Sequence, residues 1–229
     1  MTGPVQVQEH SNHVAISMDD GKANALSFAM FEGMNAGLDA AAAAGKSVVI
    51  SGRAGKFSAG FDLSVMMGGG DDMLRLMRMG ADLSKRMLSF DTPVLLGVSG
   101  HALAMGALLC LSADYRVGLA GAYKLGLNEV AIGMTLPWFG VELAQSRLEE
   151  THLSNAVGLA HIYDPESAVE AGFLDEAVAE DAFAARLDSM LEHFATLDMT
   201  AHRGTKLRLR EGFLARLDQA LDRDFGEAA

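Results

Sequence analysis

Two glycine-containing turns hold the residues of this sequence best suited to chemistry. Phe57-Ser58-Ala59-Gly60-Phe61-Asp62-Leu63 comes shortly after an apolar run at 47–51, and Gly100-His101-Ala102-Leu103-Ala104-Met105-Gly106 follows another at 94–98. Small residues let the backbone turn sharply and bring its N–H groups close to a ligand. A helix beginning near Met105 adds its positive dipole end. Two such N–H groups converging on one carbonyl oxygen make an oxyanion hole, which stabilises negative charge as it develops. Ordinary tight packing accounts for the same small residues equally well, and residue types alone do not choose between the two.

Glu129 is the carboxylate that stands out, because Val130, Ala131, Ile132, Met134, Trp138 and Phe139 follow it. If these line a pocket, loss of water raises the carboxyl pKa and makes it a better proton acceptor near neutrality. An isolated Glu at a strand or turn end is otherwise simply solvated. Asp62 reads as a turn residue, Glu142 as part of a helix face, and His101 and Asp114 as structural. The stretch Ala40–Ser47 ends like a phosphate-binding loop but lacks the opening glycine. It also runs from helix into strand, the reverse of the order that aims a helix N-terminus at phosphate. Ser99 beside Gly100 and His101 lacks the flanking pattern of a nucleophile elbow. The seven histidines are scattered without metal-ligand spacing, so no metal is expected, and the single Cys110 excludes a disulfide framework or a Cys-based zinc cluster.

The elements that must position these groups alternate along the chain. Val14, Ile16 and Met18 alternate with polar or small neighbours, which predicts a strand ending at Asp19-Asp20-Gly21. Ser27 is an N-cap for a helix over 28–44 that Gly45 ends. A buried strand over 47–51 follows, and apolar residues at helical spacing predict a helix over 71–88. Then come a strand at 94–98, a tight turn, a helix from about Met105, and short strands at 115–117 and 122–125. Beyond Pro137 the pattern is helical almost throughout, broken near Pro165 and by the apolar segment 172–178. This order predicts an α/β core with a helical tail.

Composition narrows the function classes. With 229 residues, half of them hydrophobic, and a mean hydropathy of +0.18, the chain is ample for a buried core and unlike a disordered protein. A net charge of −12 argues against nucleic-acid binding, which needs a basic face, and against resting on an anionic membrane. Ten acids against one base between 164 and 198 carry most of that charge, so the rest of the chain is nearly balanced. Residues 92–113 carry no formal charge and are long enough to span a bilayer. Pro93, Gly97, Gly100 and His101 interrupt them, and they read instead as buried strand, turn and helix. The first fifteen residues contain no apolar signal core, so a cytoplasmic protein is expected.

Four segments in order carry a family resemblance: DGKANALS (20–27), FSAGFDL (57–63), VSGHALAMGALLCLSADYRV (98–117) and LGLNEVAIGM (125–134). FSAGFDL is similar to the F-(S/C)-A-G-x-D-(L/I) segment of the crotonase superfamily, the enoyl-CoA hydratase/isomerase family. The resemblance implies a spiral of ββα units over residues 1–195 and a carboxy-terminal helical module over 196–229. It implies an enzyme acting on an acyl- or enoyl-CoA thioester, with no cofactor beyond the coenzyme A of the substrate. It also implies assembly as a homotrimer or dimer of trimers.

Carried over by position, the resemblance makes the backbone N–H groups of Phe61 and Met105 the oxyanion pair, with the Met105 side chain narrowing the pocket. Lys22, Ala23, Ala25, Ala59, Asp62 and Leu63 match the segments that approach the CoA moiety, and Lys206 matches a lysine that can reach a CoA phosphate. Hydratases of the family use two glutamates. The second aligns with Glu129 and the first with Leu108, which cannot do acid–base chemistry. Leu108, Trp138 and Met134 are then expected at the substrate pocket. One carboxylate suffices to move a proton between two carbons of an enolate, as in double-bond isomerisation. The alternatives are modest hydration, another enolate reaction such as C–C bond formation, or an acyl-CoA-binding protein that has lost turnover.

Overall fold

The computed structural model describes residues 3–226. In chain order it begins with β1 (Val5–Glu9), β2 (His13–Met18), β3 (Ala25–Leu26), α1 (Phe28–Ala44), β4 (Ser47–Ser51), β5 (Gly55–Ser58) and β6 (Gly60–Phe61). Then follow α2 (Leu63–Gly68), α3 (Gly70–Leu88), β7 (Val94–Val98), β8 (Gly100–Leu103), α4 (Met105–Cys110), β9 (Tyr115–Leu119) and β10 (Leu125–Gly126). A short 3-10 turn (Val130–Ile132) leads to α5 (Trp138–Arg147), α6 (Glu150–Val157), α7 (Pro165–Ala171), β11 (Glu176–Val178), α8 (Glu180–Phe194) and α9 (Met199–Phe225).

Six strands form the main sheet in the order β1-β2-β4-β7-β9-β11, parallel except for the β1–β2 hairpin. Both faces are covered, as parallel sheets require. In β4, Val48 and Ile50 point to the main core shared with α1, while Val49 points to a smaller one with Met190, Leu191 and Phe194 of α8. The same two-residue alternation sends Val94 and Leu96 of β7 one way and Leu95 the other.

α1 forms where its local signals place it: the Ser27 hydroxyl accepts from the Met30 N–H, and Gly45, in the left-handed region, ends it. α5 begins at Pro137 without a cap of its own. Its first two amides, on Trp138 and Phe139, donate instead to the Asp224 carboxylate at 2.9 and 2.8 Å.

A second, three-stranded sheet, β10-β8-β5, is parallel throughout, and β3 pairs with β6 beside it. The segment read as a tight turn after β7 is therefore strand β8. Gly100 (φ +156°) makes this possible, since a Cβ there would lie 2.0 Å from the Gly55 carbonyl carbon. The strand predicted at 122–125 survives only as Leu125–Gly126, because Tyr123 closes a turn on Gly121. The uncharged run 92–113 is divided among β7, β8 and α4, and among the described residues no helix is long and apolar enough to cross a membrane.

Candidate active site

The small sheet delivers three candidate groups to one edge. β8 lies between β5 and β10, all parallel, so the chain leaves all three at their carboxyl ends. β5 runs into Ala59-Gly60-Phe61, β8 into Ala104-Met105, and β10 into Leu127-Asn128-Glu129. Carboxyl edges of parallel strands are where α/β proteins bind ligands.

The two glycine turns touch. Gly60 has φ +94°, and a Cβ on it would stand 2.8 Å from the Ala104 Cβ and 3.3 Å from the Met105 nitrogen. Ala104 itself sits at φ 50°, ψ −124°, a backbone state that costs a non-glycine residue on the order of 1–3 kcal/mol. Three hydrogen bonds hold it there. Its N–H donates to the Gly126 carbonyl at 3.0 Å, and its carbonyl accepts from Ala107 and Leu108 at 2.9 and 3.0 Å. Met105 then opens α4, where a first-turn amide has no acceptor within its helix. α4 is only six residues long, so the individual amide matters here more than a helix dipole. The Met105 side chain is fully buried, and its methyl lies 3.1 Å from the Cβ position of Gly80 on α3, which also faces the Phe61 ring.

The segments assigned to CoA are stapled to the first turn. Ala59 N–H donates to the Ala23 carbonyl at 3.1 Å, Ser58 Oγ donates to the Asn24 carbonyl at 2.8 Å, and Ala25 pairs with Gly60 across β3 and β6. Lys22 is held by its N–H on Asp20 Oδ1 and by Arg53, which donates to its carbonyl at 2.9 Å. Asp62 caps α2, accepting from the Ser64 amide and hydroxyl, and the hydroxyl bond above all holds its carboxyl below the usual range. Leu63 is exposed beside it.

Sequence reasoning passed over Asn24 as a site residue. It is fully buried, adopts φ 53°, and its Nδ2 donates to the carbonyls of Met18, Lys56 and Phe57. It thereby locks the Lys22 loop to β2 and β5. The signal was available: Asn tolerates the left-handed region better than other non-glycine residues.

Glu129 is 8% exposed, and its Oε2 is buried without a hydrogen-bond partner. Burial pushes its carboxyl up to about 7. Its carbonyl accepts from Ile132 and Met134 N–H, which tightens the following turn. That turn fans Val130, Ile132 and Met134 outward to 46%, 53% and 36% exposure, so these three are not what buries the carboxylate. Leu108, one turn into α4, is fully within the core, 3.4 Å from the Cβ position of Gly140 on α5.

Comparison with known proteins identifies the family. The family model described as enoyl-CoA hydratase/isomerase matches residues 8–226. The chain belongs to this family. Among solved structures, an enoyl-CoA hydratase/isomerase family protein from Pseudomonas syringae superposes with a TM-score of 0.95 at 37% identity, covering 99% of this chain and 98% of that one. A Mycobacterium tuberculosis protein described as an enoyl-CoA isomerase in one structure and as a probable enoyl-CoA hydratase in another superposes, in the first, at 0.93 with 38% identity, covering 99% and 100%. The human mitochondrial enoyl-CoA delta isomerase 1 is 26% identical over 77% of this chain. That alignment spans 59% of the human protein's length, so this chain covers less than two thirds of it.

Within the family's fold, one expectation needs correction. Lys206 does not project from a basic helix face. Its ammonium is buried, bonded to Asp114 Oδ2 at 2.6 Å and to the Thr92 carbonyl at 3.4 Å, because α9 lies across the start of β9. It therefore has little reach toward a CoA phosphate. Trp138 is half-exposed at the start of α5 under the Arg223 guanidinium, 4.9 Å from the ring centroid. Met134 lines an apolar groove of about 420 Å³ with Val130, Leu136 and Val141, next to the Glu129 turn.

Proposed function

We propose that this family member binds an enoyl-CoA thioester and shifts its double bond, with Glu129 as the one acid–base group. The observation that carries this reading is that Glu129 is buried with Oε2 unpartnered, while Leu108, at the other position where the family's hydratases have a glutamate, is apolar. The thioester oxygen accepts from the Phe61 and Met105 N–H groups. Glu129 as carboxylate removes a proton from C2 of a 3-enoyl thioester, and the electron pair moves through the carbonyl onto the held oxygen. The protonated Glu129 returns the proton at C4, leaving a 2,3 double bond with no net gain or loss. Because Glu129 is out of water, the proton is retained between the two transfers. Lys22, Ala23, Ala25, Ala59 and Leu63 form the stapled rim that meets the CoA moiety, and the Met134 groove gives the acyl tail an apolar exit. Relatives carry both isomerase and hydratase names, so the choice of isomerisation rests on Glu129 and Leu108.

Hydration needs a second positioned group to hold water, and Leu108 offers none. Losing such a group typically costs about 10²–10⁴ in rate. The decisive experiment incubates the purified chain with 3-enoyl- and 2-enoyl-CoA and follows each product by mass spectrometry. Conversion of the 3-enoyl thioester, abolished in Glu129→Gln, supports the assignment. Hydration of the 2-enoyl thioester at a comparable rate overturns it. Leu108 also favours a second reading, an acyl-CoA-binding protein without turnover, for which the result is CoA-thioester binding with neither product.

A further inference from the structure

Gly80 is buried midway along α3, and the side chains of Phe61 and Met105 both rest on it. A Cβ at this position would stand 2.8 Å from Cε1 and Cζ of the Phe61 ring and 3.1 Å from the Met105 methyl. Carbon atoms in ordinary contact lie about 3.5–4.0 Å apart, so the two groups close on this backbone because residue 80 has no side chain. Helix propensity does not explain the glycine, since alanine is the better helix former. What glycine supplies here is room. α3 is the held member of the contact. Arg86 donates to the Asn35 side chain and carbonyl on α1 at 2.7 and 3.2 Å, Lys85 pairs with Asp218 of α9, and Arg210 donates to the Leu88 carbonyl at 2.6 Å. Ala81, Leu83 and Leu88 of the same helix lie in the main core. The Phe61 ring is confined as well, with the fully buried Phe31 of α1 packed on it at 6.0 Å between centroids. A methyl group added at position 80 is therefore relieved at Phe61 and Met105, and not by retreat of α3.

We infer that Gly80 is a positioning residue for the oxyanion hole: it seats the Phe61 and Met105 side chains on α3 and so fixes where both donor amides point. This rests on the oxyanion role proposed above for those amides. Donors of such a hole lie about 2.7–3.1 Å from the developing oxygen, and a misplacement of about 1 Å can cost roughly 10²-fold in rate. Relieving a 2.8 Å contact takes a shift of about half an ångström or more, which exceeds that tolerance.

Gly80→Ala in the full chain is the test, with Met105→Ala as a second variant that keeps the amide and empties the seat without a clash. For both, kcat on 3-enoyl-CoA should fall by about tenfold to 10²-fold with KM within about twofold of the parent. Adding Phe61→Leu to Gly80→Ala removes the ring end that the new Cβ meets, keeps the amide, and should recover part of the lost kcat. Acetoacetyl-CoA gives a readout without turnover: once its C2 proton has passed to the buffer, the enolate held in the hole is followed by its near-ultraviolet absorbance. The parent should raise the enolate fraction of the bound thioester and both variants should lower it, with butyryl-CoA affinity retained. An enolate fraction equal to the parent's in both variants, or no recovery of kcat in the double variant, overturns the seat alone. No enolate in a parent chain that binds butyryl-CoA overturns the oxyanion reading itself, and the seat falls with it.

Discussion

Gly60 and Ala104 stand so close that a Cβ on Gly60 would lie 2.8 Å from the Cβ of Ala104. The two turns that present the Phe61 and Met105 amides are therefore one packed unit. Gly60→Ala forces them apart and also strains a φ of +94°. The expected result is destabilisation by about 1–3 kcal/mol in denaturant titration, and a loss in kcat of about 10²-fold, as for loss of one oxyanion donor. Ala104→Gly acts oppositely on stability: it relieves φ 50° and raises the unfolding midpoint by a margin equivalent to roughly 1 kcal/mol. A drop in that midpoint would mean Ala104 is not strained.

With Glu129 as the base proposed above, its ionisation sets the pH dependence. Its carboxyl is pushed up to about 7, and the base must be ionised to remove a proton. The rate should rise with pH through about 7 and then level. A profile already flat from pH 5 to 8 would exclude it as the base.

The same burial makes a stability prediction of opposite sign. A folded-state pKa raised from 4.5 to about 7 means that the folded chain favours the protonated form. Stability is then fully present below about 4.5 and is lost as pH rises through 7. Glu129→Gln should therefore stabilise the protein by roughly 2–3 kcal/mol at pH 8 and by almost nothing at pH 4, while removing activity. Thermal unfolding of both variants at the two pH values checks it.

Leu108→Glu introduces a carboxylate at the position that aligns with the first glutamate of the family's hydratases. It should create measurable hydration of a 2-enoyl-CoA and lower the melting temperature, since a buried Leu is exchanged for an ionisable group. Unchanged hydration in a folded variant would show that position 108 does not face the reacting carbons.

Lys206→Met separates structure from ligand binding. Removing one partner of a buried ion pair is strongly destabilising, but Arg210 still serves Asp114, so a loss of about 2–3 kcal/mol is expected. Affinity for CoA thioesters should stay within twofold or so of the parent, because the ammonium is occupied internally. A tenfold weaker CoA affinity would return Lys206 to the ligand.

Where signals are local, the sequence foretold the structure closely. Ser27 and Gly45 bracket α1, and the Val/Ile/Leu runs of β4 and β7 are bounded by breakers, so their limits could be read directly. β5, β8 and β10 could not, because they are two to four residues long and rich in glycine. Their partners lie more than twenty residues away, and pairing alone makes them strands. The family motifs led to Glu129, yet apolar neighbours in sequence proved a poor guide to what surrounds it, since the 3-10 turn faces them outward. The Lys206–Asp114 pair joins residues 92 apart, and nothing local announces it.

Asp224 caps α5 from 86 residues away, and α5 carries Gly140, the surface on which Leu108 rests. The far end of α9 is thus a buttress for the candidate active site. A cut or a fusion that disturbs the chain at Asp224 would fray the first turn of α5 and loosen the wall behind Leu108. Damage at the end of α9 would then register as a change in what the site accepts.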